Sequence, residues 1–144
     1  MVRERSAGAV IFRKEGKDIL YLLLHYHFKT DYWDFPKGNI ESDETEEETV
    51  KREIEEETGI NDVKFIDGFK EKVSYFYRRD GNTVFKEVIF YLVETKEKDV
   101  KISEEHTGYE WVDFETAKPR LKENSRNVLM RAKEFLNKGL TKWV

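Results

Sequence analysis

A charged helix in the middle of the chain limits the possible folds more than any other feature. Residues 45–58 contain neither proline nor glycine and are mostly helix-favouring, and a glycine follows them directly. Val50 and Ile54, four residues apart, form the apolar stripe that such a helix buries. Glu53 and Glu57 lie directly beside that stripe, which is a poor choice for stability alone. The pattern therefore predicts that these carboxylates have a role besides folding.

Strand-like segments flank this helix on both sides. Strands are predicted at residues 5–13, 18–28, 63–77, 84–93 and 109–112, with turns at 14–17 and 79–82. Residues 29–44 contain Pro36, Gly38 and turn-prone residues, so we expect a loop there. Residues 124–137 carry apolar side chains at helical spacing and predict a second helix. This mixture predicts an α+β fold, with a mixed sheet packed between helices.

Length and composition limit the class of protein. A chain of 144 residues suits a single domain, taken here as residues 1–144. The longest apolar stretch, residues 19–24, is too short to span a bilayer, and the charged start predicts no signal peptide. The lack of cysteine excludes disulfides and zinc–thiolate sites and favours a cytoplasmic location. A net charge of −4 argues against nucleic acid as the partner, so an anionic ligand needs local cations or metal ions.

The charged composition also suggests a thermophile-like protein. Charged residues make up 39% of the chain, dominated by lysine and glutamate, and glutamine is absent. Ion-pair-rich, deamidation-poor chains of this kind are typical of thermophile proteins. We therefore expect a calorimetric unfolding midpoint above the mesophile range of about 45–65 °C. A midpoint within that range would contradict this hypothesis.

Three glutamates of the predicted helix share one face. Glu53, Glu56 and Glu57 are spaced by three or four residues or adjoin one another, which brings their carboxylates together. Fully exposed, each like-charge pair would cost roughly a few tenths of a kcal/mol. Half-buried at about 5 Å, with an effective dielectric constant of about 20, each pair would repel by roughly 3 kcal/mol. A divalent cation would remove that cost, because magnesium and manganese prefer oxygen ligands.

A solvated acidic face is the competing interpretation, because runs of charge usually have no further role. It fits Glu46–Glu48, but the pattern extends beyond the glutamates. The segment Gly38–Ile60 resembles the signature of the Nudix hydrolase family, in which a glycine is followed by five residues, a glutamate, seven residues and Arg-Glu-apolar-any-Glu-Glu-any-Gly-apolar. The chain matches it at Gly38, Glu44, Arg52, Glu53, Ile54, Glu56, Glu57, Gly59 and Ile60. A chance match is expected on the order of once in 10⁵ trials.

This resemblance implies a fold, a reaction and a set of roles. The implied fold is the Nudix αβα sandwich, and the implied reaction is hydrolysis of a phosphoanhydride bond. The implied metal is magnesium, with manganese possible, held by Gly38, Glu53, Glu56 and Glu57, and Arg52 would orient a carboxylate. Bound metal suits this chemistry because it neutralises phosphate charge and helps to activate water, with a carboxylate or hydroxide as the base.

Segments outside Gly38–Ile60 resemble one branch of the family, the diadenosine tetraphosphate hydrolases. The residues that carry this resemblance are Tyr32–Gly38, Phe69–Lys70, Tyr75, Lys86, Ser103–His106, Tyr109 and Trp111. It implies that Lys37 and Lys86 bind phosphate and that Tyr75 and Tyr109 stack on adenine. It also implies that Glu105 is a further metal ligand or base, and that diadenosine tetraphosphate is split into ATP and AMP. Ordinary strand packing and an ordinary loop charge are the alternatives for the tyrosines and the glutamate.

Two other functions remain open at this point. The signature Gly38–Ile60 does not show which of several substrates that share a diphosphate is cleaved. Examples are oxidised nucleoside triphosphates, ADP-ribose, inositol pyrophosphates and a capped RNA end. A Nudix fold can also serve as a ligand-binding module without hydrolysis, although the intact glutamates argue against that. The expected partner is a small nucleoside polyphosphate, with no membrane partner, and we favour a monomer.

Overall fold

The secondary-structure elements are taken from a computed structural model that describes residues 1–28 and 30–141. Lys29, at the start of the predicted loop, lies outside these ranges. The elements are β1 (Val2–Glu15), β2 (Asp18–Phe28), β3 (Thr30–Asp34), β4 (Lys37–Asn39), α1 (Glu46–Thr58), β5 (Lys64–Phe65), β6 (Glu71–Arg79), β7 (Asn82–Glu94), β8 (His106–Val112), α2 (Phe114–Arg120) and α3 (Glu123–Thr141).

The strands form one mixed sheet. Its main path runs β3-β2-β1-β7-β5, while β4 pairs with β1, β6 with β7 and β8 with β2. β1 and β7 run parallel from the Val2–Val84 pair to the Phe12–Glu94 pair. The other strand pairs are antiparallel. The prediction of a mixed sheet is therefore confirmed.

Helices cover both faces of this sheet. On one face, Val50 and Ile54 of α1 pack with buried residues of β1 and β2. On the other face, Val128 and Leu129 of α3 pack against the opposite side of the same strands. Alternate side chains of a strand point to opposite faces, which is why neighbouring residues of β1 belong to different cores. The predicted αβα sandwich is confirmed.

Local signals set the limits of α1. Thr45 is its N-cap: its hydroxyl accepts from the Glu48 amide at 3.1 Å, and the Glu48 carboxylate accepts from the Thr45 amide at 2.9 Å. Gly59 ends the helix in the left-handed conformation, with φ of 75°, and its amide donates to the Glu55 carbonyl. Because of these caps, the observed helix Glu46–Thr58 agrees closely with the helix predicted at residues 45–58.

Two of the predicted elements are wrong in detail, and one helix was missed. The predicted loop 29–44 contains β3, which pairs with the preceding strand β2, and β4, which pairs with β1 far earlier in the sequence. The predicted strand 63–77 is divided into β5 and β6, with Gly68 at a positive φ of 90° between them. The short helix α2, capped by Asp113, was not predicted. Within the described ranges, no helix is long and apolar enough to cross a membrane.

Candidate active site

An acidic cavity lies where α1 meets the loop before β8. Its volume is about 420 Å³, and it is lined by Glu53, Glu56, Glu57, Ser103, Glu104 and Glu105. The three glutamates come from one helix face, as their spacing predicts, and Glu105 reaches them from a segment almost fifty residues later. The structure thus brings all four predicted acidic ligands to one place.

Glu57 is the most buried of these carboxylates. It is 5% exposed, and its Oε2 atom has no hydrogen-bond partner among the described residues. Burial raises the pKa of Glu57 to about 9, and the charges of Glu53 and Glu105 add to the effect. An ionised carboxylate in this position is unfavourable without a cation, because burying an unpaired charge costs far more than burying a paired one.

Glu53 lies against the backbone of β4. A Cβ atom added at Gly38 would stand 2.0 Å from its Oε1 atom and 2.6 Å from Oε2. Only glycine leaves room for the carboxylate there. Burial also raises the pKa of Glu53, and the neighbouring Arg52 opposes that shift.

Arg52 connects the carboxylates of this helix face. Its Nε and Nη2 atoms donate to the two oxygens of Glu44 at 2.6 and 2.9 Å. Its Nη1 atom donates to Glu53 at 2.8 Å and to Glu56 at 3.2 Å, and Nη2 also donates to the Asn39 carbonyl at 3.0 Å. Hydrogen bonds from Arg52 hold the pKa of Glu44 at about 2. Glu44 therefore anchors Arg52, and Arg52 in turn orients Glu53 and Glu56.

The donor set of the acidic cavity fits a divalent cation. Ligand atoms of Glu57, Glu105 and His106 lie within 4.8 Å of one another. The unpartnered oxygen of Glu57 and the shared acidic face supply the oxygen ligands that hard cations prefer. Sequence reasoning did not single out His106, although it adjoins Glu105. No spacing in the sequence connects His106 with Glu57. The two residues come together only in the fold, with 3.6 Å between Nε2 and Oε1.

A second cavity, of about 390 Å³, lies on the other side of β4. It is lined by Tyr32, Asp34, Lys37, Val73, Tyr75, Val88, Phe90 and residues 122–125. It therefore contains two predicted substrate residues, Lys37 and Tyr75. The other lining residues of α3 and β3 were not predicted, because no spacing in the sequence places the start of α3 beside β6.

Lys37 lines the second cavity and also interacts with Glu57 of the acidic cavity. Its Nζ atom donates to Asp34 Oδ2 at 2.8 Å in the second cavity, while its backbone amide and its charge lower the pKa of Glu57. Burial alone would lower the pKa of Lys37, but the charge of Asp34 outweighs it and raises the pKa. Lys37 therefore links the tyrosine-lined cavity to Glu57, which lines the acidic cavity.

Lys86 and Tyr109 lie in different surroundings. Lys86 stands opposite Tyr75 in the β6–β7 ladder, and burial together with the charge of Lys37 lowers its pKa. Tyr109 stands opposite Leu24 in the β2–β8 ladder, is 38% exposed and lines neither cavity. The structure thus groups Lys86 with Lys37 and Tyr75, and leaves Tyr109 apart.

The fold and the site together define a class of protein. An αβα sandwich with a glutamate-rich helix beside a lysine-containing cavity is the architecture of a phosphoanhydride hydrolase of the Nudix kind. The family model described as NUDIX domain matches residues 2–132. The chain belongs to the Nudix family and is a Nudix hydrolase.

Individual relatives narrow this assignment. The chain is 35% identical over 123 residues to the bis(5'-nucleosyl)-tetraphosphatase [asymmetrical] of Mus musculus, covering 78% of this chain and 81% of the relative. It is 29% identical over 124 residues to an RNA pyrophosphohydrolase of Hydrogenovibrio crunogenus, covering 76% and 73%. The solved binary complex of the C. elegans Ap4A hydrolase superposes with a TM-score of 0.82 at 28% identity, covering 94% and 98%.

Proposed function

We propose that this Nudix hydrolase splits diadenosine tetraphosphate into ATP and AMP by attack of water on phosphorus. The observation that carries the proposal is the position of Lys37, which lines the cavity that contains the tyrosines and interacts with Glu57 of the acidic cavity. Such an arrangement fits a ligand with a polyphosphate at one end and an aromatic base at the other. The similarity to relatives named as asymmetrical tetraphosphatases supports the choice of substrate.

Cations and aromatic rings are arranged for the two parts of such a substrate. Lys37 and Lys86 lie near Tyr75, so they can meet phosphate oxygens while the ring stacks on adenine. Tyr109 lies on β8, away from Tyr75, and we assign it to the second adenine. Two separated tyrosines favour a dinucleoside over a mononucleotide as the substrate.

Magnesium, with manganese as a substitute, is the proposed cofactor. Glu53, Glu56, Glu57 and Glu105 would hold it together with the backbone of Gly38. When bound, the cation supplies charge that neutralises phosphate oxygens and makes water more acidic. Among the chain's own groups, Arg52 keeps the carboxylates of Glu53 and Glu56 oriented.

A substrate panel tests the proposal. Purified protein with magnesium is incubated with diadenosine tetraphosphate, oxidised nucleoside triphosphates, ADP-ribose, inositol pyrophosphates and capped RNA in oxygen-18 water. We expect the highest kcat/KM for diadenosine tetraphosphate, with ATP and AMP as products and oxygen-18 in one of them. If the panel gave no cleavage at all, a non-hydrolytic binding module would be the better interpretation.

A 5'-triphosphorylated RNA end is the second candidate substrate. The similarity to a protein named RNA pyrophosphohydrolase favours it, whereas the net charge of −4 gives no general attraction to RNA. Adding a short triphosphorylated RNA to the same panel separates the two candidates, because release of pyrophosphate or phosphate from the RNA is scored in the same assay.

Lys86→Ala should raise the KM for diadenosine tetraphosphate by about tenfold, because one charge-assisted contact to phosphate is worth about 1.4 kcal/mol. The kcat should change by less than about threefold if the contact is equally strong in the ground and transition states. Steady-state kinetics measures both, with Lys17→Ala in the exposed β1–β2 turn as the matched control. An unchanged KM would show that Lys86 does not contact the phosphates of the substrate.

A further inference from the structure

Two buried side chains behind the acidic cavity each contain a polar atom without a hydrogen bond among the described residues. They are Oε2 of Glu57 and Nε2 of His106, and both residues are 5% exposed. Nε2 lies 3.6 Å from Oε1 of the same glutamate, just beyond a hydrogen bond. Buried polar groups are almost always paired, because an unpaired one costs about 1–3 kcal/mol. A small rotation of either side chain would join them.

We propose that His106 is a positioning residue whose Nε2–H group donates to the Glu57 carboxylate. The contact fixes the direction in which Glu57 presents its other oxygen to the acidic cavity. This positioning role rests on the proposed function in one respect, because it assumes that Glu57 takes part in hydrolysis. Carboxylates at catalytic and metal sites need such a supporting partner to hold one rotamer.

The other ring nitrogen of His106 has a hydroxyl partner of its own. Ser103 Oγ lies 2.9 Å from Nδ1, and the ring packs edge-on against Tyr26 with centroids 4.4 Å apart. A hydroxyl donates or accepts, whereas an ionised carboxylate only accepts. The arrangement that satisfies all three residues has Ser103 donating to Nδ1 and Nε2–H donating to Glu57.

A direct role as metal ligand is the competing role for His106, because its nitrogen lies within 4.8 Å of ligand oxygens of Glu57 and Glu105. Two arguments favour positioning. Magnesium prefers oxygen donors, and a ring nitrogen that carries a proton has no lone pair for a cation. Because the contact with Ser103 leaves Nε2 as the nitrogen that faces Glu57, the two roles require opposite tautomers of one ring.

Nuclear magnetic resonance distinguishes these tautomers without any substrate. Long-range ¹H–¹⁵N spectra of magnesium-saturated, histidine-labelled protein should show His106 with its proton on Nε2. A proton on Nδ1 alone would leave Nε2 free to bind metal and would overturn the proposal. This result does not depend on which substrate is cleaved, so a failed substrate panel and a failed positioning role are separate outcomes.

Substitutions test the same contact through function. His106→Leu removes the donor and should lower both kcat and magnesium affinity by about 10–100-fold, with the KM for nucleotide unchanged. His106→Gln restores an N–H donor of similar reach and should recover most of both losses. Equal losses in the two variants would reduce His106 to a packing residue, and an unchanged kcat in His106→Leu would remove the role altogether.

Two hydroxyl variants form a matched pair that leaves the ring in place. Ser103→Ala removes the partner of Nδ1, so it should lower kcat by a smaller factor than His106→Leu and shift the tautomer balance. Thr107→Val is the control, since that hydroxyl contacts Nδ1 of the exposed His25 at 2.6 Å instead; it should leave kcat and magnesium affinity unchanged. Circular dichroism of each metal-free variant checks the fold. If Ser103→Ala behaved like Thr107→Val, the proposed chain of contacts would be wrong.

Discussion

Glu57→Gln should lower kcat by about 10³-fold or more while leaving the fold intact, because a carboxylate positioned to hold the proposed cation or to serve as the base contributes about 10²–10⁴-fold. Glu53→Gln should have a similar effect, since its carboxylate lies in the same cavity. The matched control is Glu55→Gln on the exposed side of α1. Initial rates with diadenosine tetraphosphate and circular dichroism measure the two quantities. Near-wild-type rates in both active-site variants would refute the catalytic assignment.

The same substitution should stabilise the metal-free protein at alkaline pH. Folding raises the pKa of Glu57 from 4.5 to about 9, so between these values the folded state keeps a proton that the unfolded chain has released. The free energy of unfolding of the wild type therefore falls as the pH rises from about 5 to about 9. Glutamine cannot ionise, and at pH 9 we expect Glu57→Gln to be more stable by up to about 6 kcal/mol, because each unit of pKa difference is worth about 1.4 kcal/mol.

Urea unfolding in EDTA at pH 6 and pH 9 measures this difference. The advantage of Glu57→Gln should be small at pH 6 and large at pH 9, whereas Glu55→Gln should match the wild type at both. Added magnesium should stabilise the wild type more at pH 9 than at pH 6, because binding requires the proton to leave. A stability difference that does not change with pH would show that Glu57 titrates normally in the folded state.

Gly38→Ala should lower kcat by about 10²-fold with a change in stability below about 1 kcal/mol. The new Cβ would stand 2.0 Å from the Glu53 carboxylate, which is the free end of a flexible side chain and can move aside. The fold therefore tolerates the methyl group, but the carboxylate leaves its position, and misplacement of about 1 Å is enough for such a loss.

Gly139→Ala in α3 is the matched control, because a Cβ at that position meets nothing within 4 Å. It should leave kcat unchanged. Thermal unfolding separates a misplaced carboxylate from a disturbed fold, since only the latter lowers the midpoint. A folded Gly38→Ala variant with a wild-type rate would mean that the position of Glu53 is unimportant.

The helix α1 could be predicted from sequence because everything that defines it is local. Thr45, Glu48 and Gly59 lie within one turn of its ends, and Val50 and Ile54 define its buried stripe. The strands β3 and β4 could not be predicted, because their hydrogen bonds go to β2 and β1 while their own residues resemble a loop. The partner of β4 lies far away in the sequence, whereas β3 pairs with the strand directly before it.

The residues of the candidate site also differ in how far the sequence alone predicts their positions. The cluster of Glu53, Glu56 and Glu57 follows from helical spacing alone. Three other features depend on how distant segments meet in the fold. They are the position of Glu105 beside this cluster, the contact of His106 with Glu57 and the interaction of Lys37 with Glu57. Resemblance to a family singled out Glu105 and Lys37 in advance, but it did not show that Tyr109 lies outside both cavities.

The contacts of Arg52 have a consequence for the protein before any metal arrives. One guanidinium, tied to Glu44 and to the Asn39 carbonyl, already holds two carboxylates of the acidic face at hydrogen-bond distance. It acts as a resident counter-ion that offsets the repulsion between these carboxylates. Much of the rotational freedom of Glu53, whose side chain is only 13% exposed, is therefore lost during folding, and less of it remains to be lost in forming the proposed cation site.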